Sequence, residues 1–132
     1  MKKNLLVVED DSGLRRYFVL LLQQMGYHVT ESVNGADALS LLIKRNNFHL
    51  VVTDIEMPVM TGIELLEEMD RRGIDVPVCT VSGINDDSLI KRLSALGCGD
   101  FLRKPVSCRA LMEKVRTILA RDGKSFSRKP SG

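Results

Sequence analysis

A chain of 132 residues has the length of one compact domain and can bury a core without disulfides. Its 44% apolar and 27% charged residues are ordinary for a globular protein, and no apolar run reaches the length of a membrane span. Of 19 Lys and Arg and 17 Asp and Glu, four bases (Arg121, Lys124, Arg128, Lys129) and one acid (Asp122) fall in residues 121–132, so the remaining body holds 15 bases against 16 acids and is close to neutral.

That distribution leaves no basic stripe interleaved with aromatics, so direct nucleic-acid binding is not expected. The apolar run at residues 5–8 is too short for a signal peptide and meets Glu9-Asp10-Asp11 at once, which makes a cytoplasmic protein the simplest expectation. Cys79, Cys98 and Cys108 are odd in number and lack Cys-x-x-Cys spacing, so neither a disulfide framework nor a zinc site is expected. Cys79, within an apolar run, reads as packing.

Leu5-Leu6-Val7-Val8 is a continuous apolar run, as in a parallel strand covered on both faces. A helix follows, with Asp11 or Ser12 as its cap, Leu14, Phe18, Leu21, Leu22 and Met25 on one face, and Gly26 at its end. Tyr27-His28-Val29-Thr30-Glu31 alternates apolar with polar and reads as a strand at a sheet edge, its His28 and the later His49 in surface or edge positions. Asn34, with Asp37 three residues on, caps a second helix that packs through Leu39, Leu42 and Ile43.

The run from Phe48 to Val52 is apolar apart from His49 and holds the β-branched pair Val51-Val52, and Pro58 bars simple continuation, so Asp54 lies where a central strand leaves the core. Met57 and Met60 are expected to pack the following loop over that rim. Thr61-x-x-Glu64 is a capping box for a third helix with Gly62, Leu65, Leu66 and Met69 on one face, closed by Gly73. Residues 76–82 form another buried strand, and Asn85-Asp86-Asp87 opens a fourth helix with Leu89, Leu93 and Leu96 inward, ending at Gly97. Phe101-Leu102 is a short strand leading to Lys104-Pro105, and Ser107 opens a last helix with Leu111, Val115, Ile118 and Leu119 as its stripe.

Five βα repeats in so short a chain imply an open parallel sheet with right-handed crossovers, since eight strands are needed for the usual barrel. The first, third and fourth strands are the most apolar and belong at the centre. The expected fold is α/β: a five-stranded parallel sheet in the order 2-1-3-4-5 with five helices on both faces, flavodoxin-like.

Four strands of such a sheet deliver polar residues to one rim: Glu9 and Asp10, Asp54, Ser82, and Lys104. Carboxylates brought together either rise in pKa or share a cation, and hard oxygen ligands with room for water suit Mg²⁺. A carboxylate, a hydroxyl and an ammonium around one point are the parts phosphoryl transfer needs, with Asp54 as the nucleophile of an aspartyl phosphate.

Glu9-Asp10, Thr53-Asp54-Ile55-Glu56-Met57-Pro58-Val59-Met60-Thr61-Gly62, Val81-Ser82-Gly83 and Phe101-Leu102-Arg103-Lys104-Pro105 together resemble the receiver domain of two-component response regulators, over roughly residues 4–121. The resemblance implies that Asp54 is the phospho-acceptor, Asp10 a direct Mg²⁺ ligand, Glu9 an acid acting mainly through metal-bound water, and Glu56 a ligand through its backbone carbonyl. It also implies that Ser82 binds the phosphoryl group, that Lys104 is its ion-pair partner, that the rotamer of Phe101 follows Ser82, and that Lys104-Pro105 is cis.

By the same resemblance the donor is the phosphohistidine of a sensor histidine kinase or histidine phosphotransfer protein, and the readout surface is the fourth helix, fifth strand and fifth helix. The chain at most catalyses its own phosphorylation and dephosphorylation, and acts on an unknown output domain or protein as a monomer or phosphorylation-dependent dimer. Ser82 stands where Thr is commoner, keeping the hydroxyl and losing a methyl, which bears on signal transmission. Asp11 is adjacent to the acid pair and reads as a helix cap. The expected layout is a receiver domain at residues 1–121 and a basic tail or linker remnant at 122–132.

A different class of function is a Mg²⁺-dependent phosphohydrolase, because Asp54-x-Glu56 is superficially like an Asp-x-Asp nucleophile motif. The lack of any sizeable cap insertion argues against it.

Overall fold

Five short strands and five helices alternate along the chain, and the computed structural model describes residues 2–84 and 86–121. In order they are β1 (Asn4–Val8), α1 (Ser12–Gln24), β2 (His28–Ser32), α2 (Gly35–Lys44), β3 (Leu50–Asp54), α3 (Gly62–Arg71), β4 (Val78–Ser82), α4 (Asp87–Ala95), β5 (Asp100–Arg103) and α5 (Cys108–Ala120). All neighbouring strands are parallel, in the order β2-β1-β3-β4-β5. The expected flavodoxin-like α/β sheet is therefore the fold of the chain.

Alternation along the strands divides the core in two. Leu5, Val7, Leu50, Val52, Cys79 and Val81 face α1 and α5, where Phe18, Leu22, Leu111, Val115 and Ile118 meet them. Leu6, Val8, Val51 and Val78 face α2, α3 and α4, through Ala38, Leu42, Leu65, Leu66, Met69 and Leu93. Each fully buried Leu or Phe of these layers contributes about 1.5–3 kcal/mol relative to exposure. β2 is the edge strand its alternation implies, with His28 and Glu31 exposed and Val29 half-buried.

The helix starts are built as their sequences suggest. Asp11 caps α1 by accepting from the N–H groups of Gly13 and Leu14, Asn34 caps α2 from Asp37 N–H, Asp86 caps α4, and Ser107 caps α5. Thr61 and Glu64 form the reciprocal capping box of α3. After α1, α3 and α4 the chain turns at Gly26, Gly73 and Gly97, all with positive φ. Lys104–Pro105 is a cis peptide.

Three details differ from expectation. Ile43 does not join the α2 core stripe: it is 53% exposed, and the buried face is Gly35, Ala38, Leu39 and Leu42, one step around the helix. Val19 is buried although it lay off the expected α1 stripe. β4 begins at Val78 and not at Val76, because Pro77 has no N–H to give a ladder; its carbonyl still accepts from Val51 N–H at 2.9 Å. Asn85 and residues 122–132 lie outside the described residues, and with them the expected tail.

Candidate functional site

β1, β3 and β4 all stop at the same edge, and the chain leaves each of them on a polar residue. Glu9 follows β1 and is 1% exposed, Asp54 is the last residue of β3 and 3% exposed, and Ser82 ends β4 fully buried. Lys104 follows β5, its backbone N–H bonded to the Ser82 carbonyl at 2.9 Å, which places the two residues side by side. Asp10 is exposed at the mouth.

The loop after Asp54 is locked by two close approaches. Gly62 N–H donates to the Ile55 carbonyl at 2.9 Å, and a Cβ there would strike the Asp54 carbonyl and lie 2.9 Å from Ile55 Cα. Gly35 N–H donates to the Met60 carbonyl at 3.0 Å, where a Cβ would meet the same oxygen at 2.7 Å. Met57 is buried, Met60 half-buried, and Val59 between them is 81% exposed with φ of 70°.

Inside the rim, oxygens of Glu9, Asp10 and Asp54 come within 4.8 Å of one another. Asp54 Oδ1 accepts from Ile55 N–H at 2.9 Å and Oδ2 from Lys104 Nζ at 3.1 Å. Glu9 Oε2 accepts from Asp11 N–H at 3.0 Å, whereas Oε1 is buried without a hydrogen-bond partner among the described residues, 3.4 Å from Lys104 Nζ as an ion pair. Arg15 Nη1 holds the Glu9 carbonyl at 2.8 Å.

Burial pushes the Glu9 carboxyl up to about 7, and the nearby Asp54 charge adds to the shift against the opposing pull of the Asp11 N–H and Lys104. Asp54 is also raised, by burial first and by the Glu56 charge, with Lys104 opposing. Burial pulls Lys104 down, but the Asp54 and Glu9 carboxylates more than offset it and hold the ammonium above its ordinary value. An orphaned buried oxygen within a three-carboxylate group fits a hard divalent cation.

Ser82 is engaged elsewhere. Its Oγ donates to Glu56 Oε2 at 2.7 Å and accepts from Ile84 N–H at 3.0 Å. The resemblance implies a backbone ligand at Glu56 and places Glu56 and Ile84 at flanking positions that tune phosphoryl lifetime, but it names no partner for the Glu56 side chain; that partner is the Ser82 hydroxyl. Phe101 is half-buried on β5 opposite Thr80 and packs against the α2–α3–α4 layer. Asp11 spends its Oδ1 on the α1 cap and is outside the acidic group.

The two histidines and three cysteines stay apart from the rim. His28 is exposed on the edge strand, and His49 Nδ1 accepts from Asn4 N–H at 3.0 Å. Cys79 is buried with its thiol pushed well up by burial, and Cys108 Sγ is 3.1 Å from the Tyr17 hydroxyl. Among the described residues no helix is long and apolar enough to cross a membrane.

Comparisons with known proteins converge. The response regulator receiver domain matches residues 5–116. The response regulator receiver protein CpdR of Brucella abortus is 35% identical over 117 residues, covering 89% of this chain and 97% of CpdR. The transcriptional regulatory protein FixJ of Azorhizobium caulinodans is 34% identical over 115 residues, 87% of this chain and 54% of FixJ. The chain thus spans about half the length of FixJ, and 52% of the probable transcriptional regulator ycf27 of Porphyridium aerugineum.

Solved structures agree. The receiver domain of Francisella response regulator 1452 superposes with a TM-score of 0.82 at 30% identity, covering 91% of this chain and 98% of that one. A CheY-like receiver domain protein of Methanospirillum hungatei gives 0.85 at 26%, covering 92% and 96%. With a matching family over most of its length, the expected sheet order and an acidic rim, the chain belongs to the receiver domains of two-component response regulators, signalling switches whose shared function is to accept a phosphoryl group on an aspartate.

Proposed function

We propose that Asp54 is the phospho-acceptor of this receiver domain and that the donor is the phosphohistidine of a sensor histidine kinase or histidine phosphotransfer protein. The observation that carries this reading is the environment of Asp54: a buried carboxylate at a strand end, 3.1 Å from the Lys104 ammonium and grouped with Glu9 and Asp10. A bond forms from an Asp54 carboxylate oxygen to phosphorus as the N–P bond of the phosphohistidine breaks.

Glu9, Asp10, Asp54 and the backbone carbonyl of Glu56 would hold Mg²⁺, Glu9 mainly through water. Bound there, the ion neutralises charge on the transferring oxygens. The protein's own groups do the rest. Ile55 N–H fixes one oxygen of Asp54 and so orients the carboxylate, Lys104 offers an ammonium to the incoming oxygens, and the Ser82 hydroxyl is the donor recruited once the group is in place. The added phosphoryl group brings about −1.5 to −2 charge, enough to bias a two-state rim.

The readout surface in this reading is α4, β5 and α5, coupled through Phe101. FixJ and ycf27 are described as transcriptional regulators and are about twice as long as the segment they share with this chain, so residues 1–121 are assigned as the receiver unit, its output read by a further domain or a separate protein. Steady phosphomonoester hydrolysis is not favoured, since the family this chain belongs to consists of switches.

Intact-mass analysis with acetyl phosphate and Mg²⁺ tests the assignment. Wild type is expected to gain the mass of one phosphoryl group, and Asp54→Asn to gain nothing. A labelled Asp54→Asn protein would overturn it.

A further inference from the structure

Ser82 is wholly buried, so both of its hydrogen-bonding roles must be filled by protein, and both are. A hydroxyl carries a single proton. While that proton is given to Glu56 Oε2, at 2.7 Å, it cannot be given to another anion. The bond is of the charge-assisted kind, about twice as strong as one between neutral groups.

We propose that Glu56 is a positioning residue that latches Ser82 at rest and competes with the phosphoryl group for the hydroxyl proton. The inference rests on Asp54 being the acceptor. Three observations converge on it. Glu56 takes the Ser82 proton at 2.7 Å, it follows Asp54 by two residues on the locked loop, and it lines an open cleft of about 540 Å³ between α3 and α4. A phosphoryl group on Asp54 repels that carboxylate and offers the hydroxyl stronger acceptors at the same moment, while the cleft, lined also by Arg92, gives Glu56 room to leave. Coupling of this kind is reciprocal: the latch weakens phosphoryl-group binding by the factor by which that group weakens the latch.

The test uses the full chain and beryllium trifluoride with Mg²⁺ as a phosphoryl mimic, followed through the amide signals of Ile84 and its neighbours by NMR. Losing one competing charge-assisted hydrogen bond makes binding about tenfold tighter in Glu56→Ala. In a Ser82→Ala background the same substitution is expected to shift affinity by less than about twofold, because no proton is left to compete for. Glu56→Gln, which keeps an acceptor but no charge, falls between. In mimic-free Glu56→Ala the Ile84 amide, which donates to Ser82 Oγ, moves toward its position in mimic-bound wild type.

Equal effects of Glu56→Ala with and without Ser82 would reduce Glu56 to a repelling charge and overturn the latch, as would no effect in either background. A wild-type chain that binds no mimic would overturn the acceptor assignment and the latch with it.

Discussion

The two sides of the rim solve opposite problems. On the β1–β3 side, carboxylates are crowded, two of them are raised in pKa by burial, and Glu9 Oε1 has an ion pair to Lys104 but no hydrogen-bond partner among the described residues. On the β4 side, the Ser82 hydroxyl is buried as deeply and yet satisfied in both roles. The first side gains from any cation it can acquire. If the proposed latch holds, the second must give something up before it can respond, which would make charging the site and reporting the charge separable events.

Removing the ammonium that faces the crowded side should break the contrast most severely. Lys104→Met is expected to slow labelling by acetyl phosphate about a hundredfold or more, in the range found for loss of one charge-stabilising donor. Time-resolved intact mass at saturating Mg²⁺ measures it, and a change below about threefold would show that Lys104 contributes little to the transfer.

The next effect is of pH. Glu9 is pushed up to about 7 in the folded chain against an ordinary 4.5, so between those values the folded state keeps a proton that the unfolded chain has released. Its contribution therefore lowers stability as pH rises from about 4.5 to 7, by on the order of 3 kcal/mol. Urea denaturation without Mg²⁺ across pH 5 to 8 should show the decline, Glu9→Gln should flatten it, and Mg²⁺ at pH 8 should restore what is lost.

Gly62→Ala asks whether the rim depends on its backbone as well as its charges. The added methyl meets the Asp54 carbonyl and Ile55 Cα, and overpacking of this kind costs about 1–3 kcal/mol. Denaturant midpoints would measure the loss, and labelling should slow as Asp54 is displaced. The smallest effect is expected at Val59, a β-branched residue at φ of 70°. Val59→Asn should stabilise by about 0.5–1 kcal/mol, because Asn tolerates that conformation better.

The order of the strands was legible because continuous apolar runs and an alternating one differ in plain sight, and the rim residues were legible because each follows such a run. Ile43 was misplaced for a physical reason. The face of α2 that packs is set by Gly35 and Ala38, small residues that allow close approach, and a rule that counts large apolar side chains passes over them. Glu56 was half-read: its place in the chain was visible, but the direction of its side chain depends on where Ser82 lies across the sheet, a contact between residues 26 apart.

One pairing at the opposite end of the molecule sets a practical boundary. Arg121 Nη2 reaches both carboxylate oxygens of Asp100, at 2.9 and 3.0 Å, joining the exit of α5 to the first residue of β5. A truncation that stops at Ala120 would strand a nearly buried acid at the foot of the strand that leads to Lys104. Fusions and shortened versions meant to report on signalling should therefore keep residue 121, or they will measure a loosened fifth strand instead.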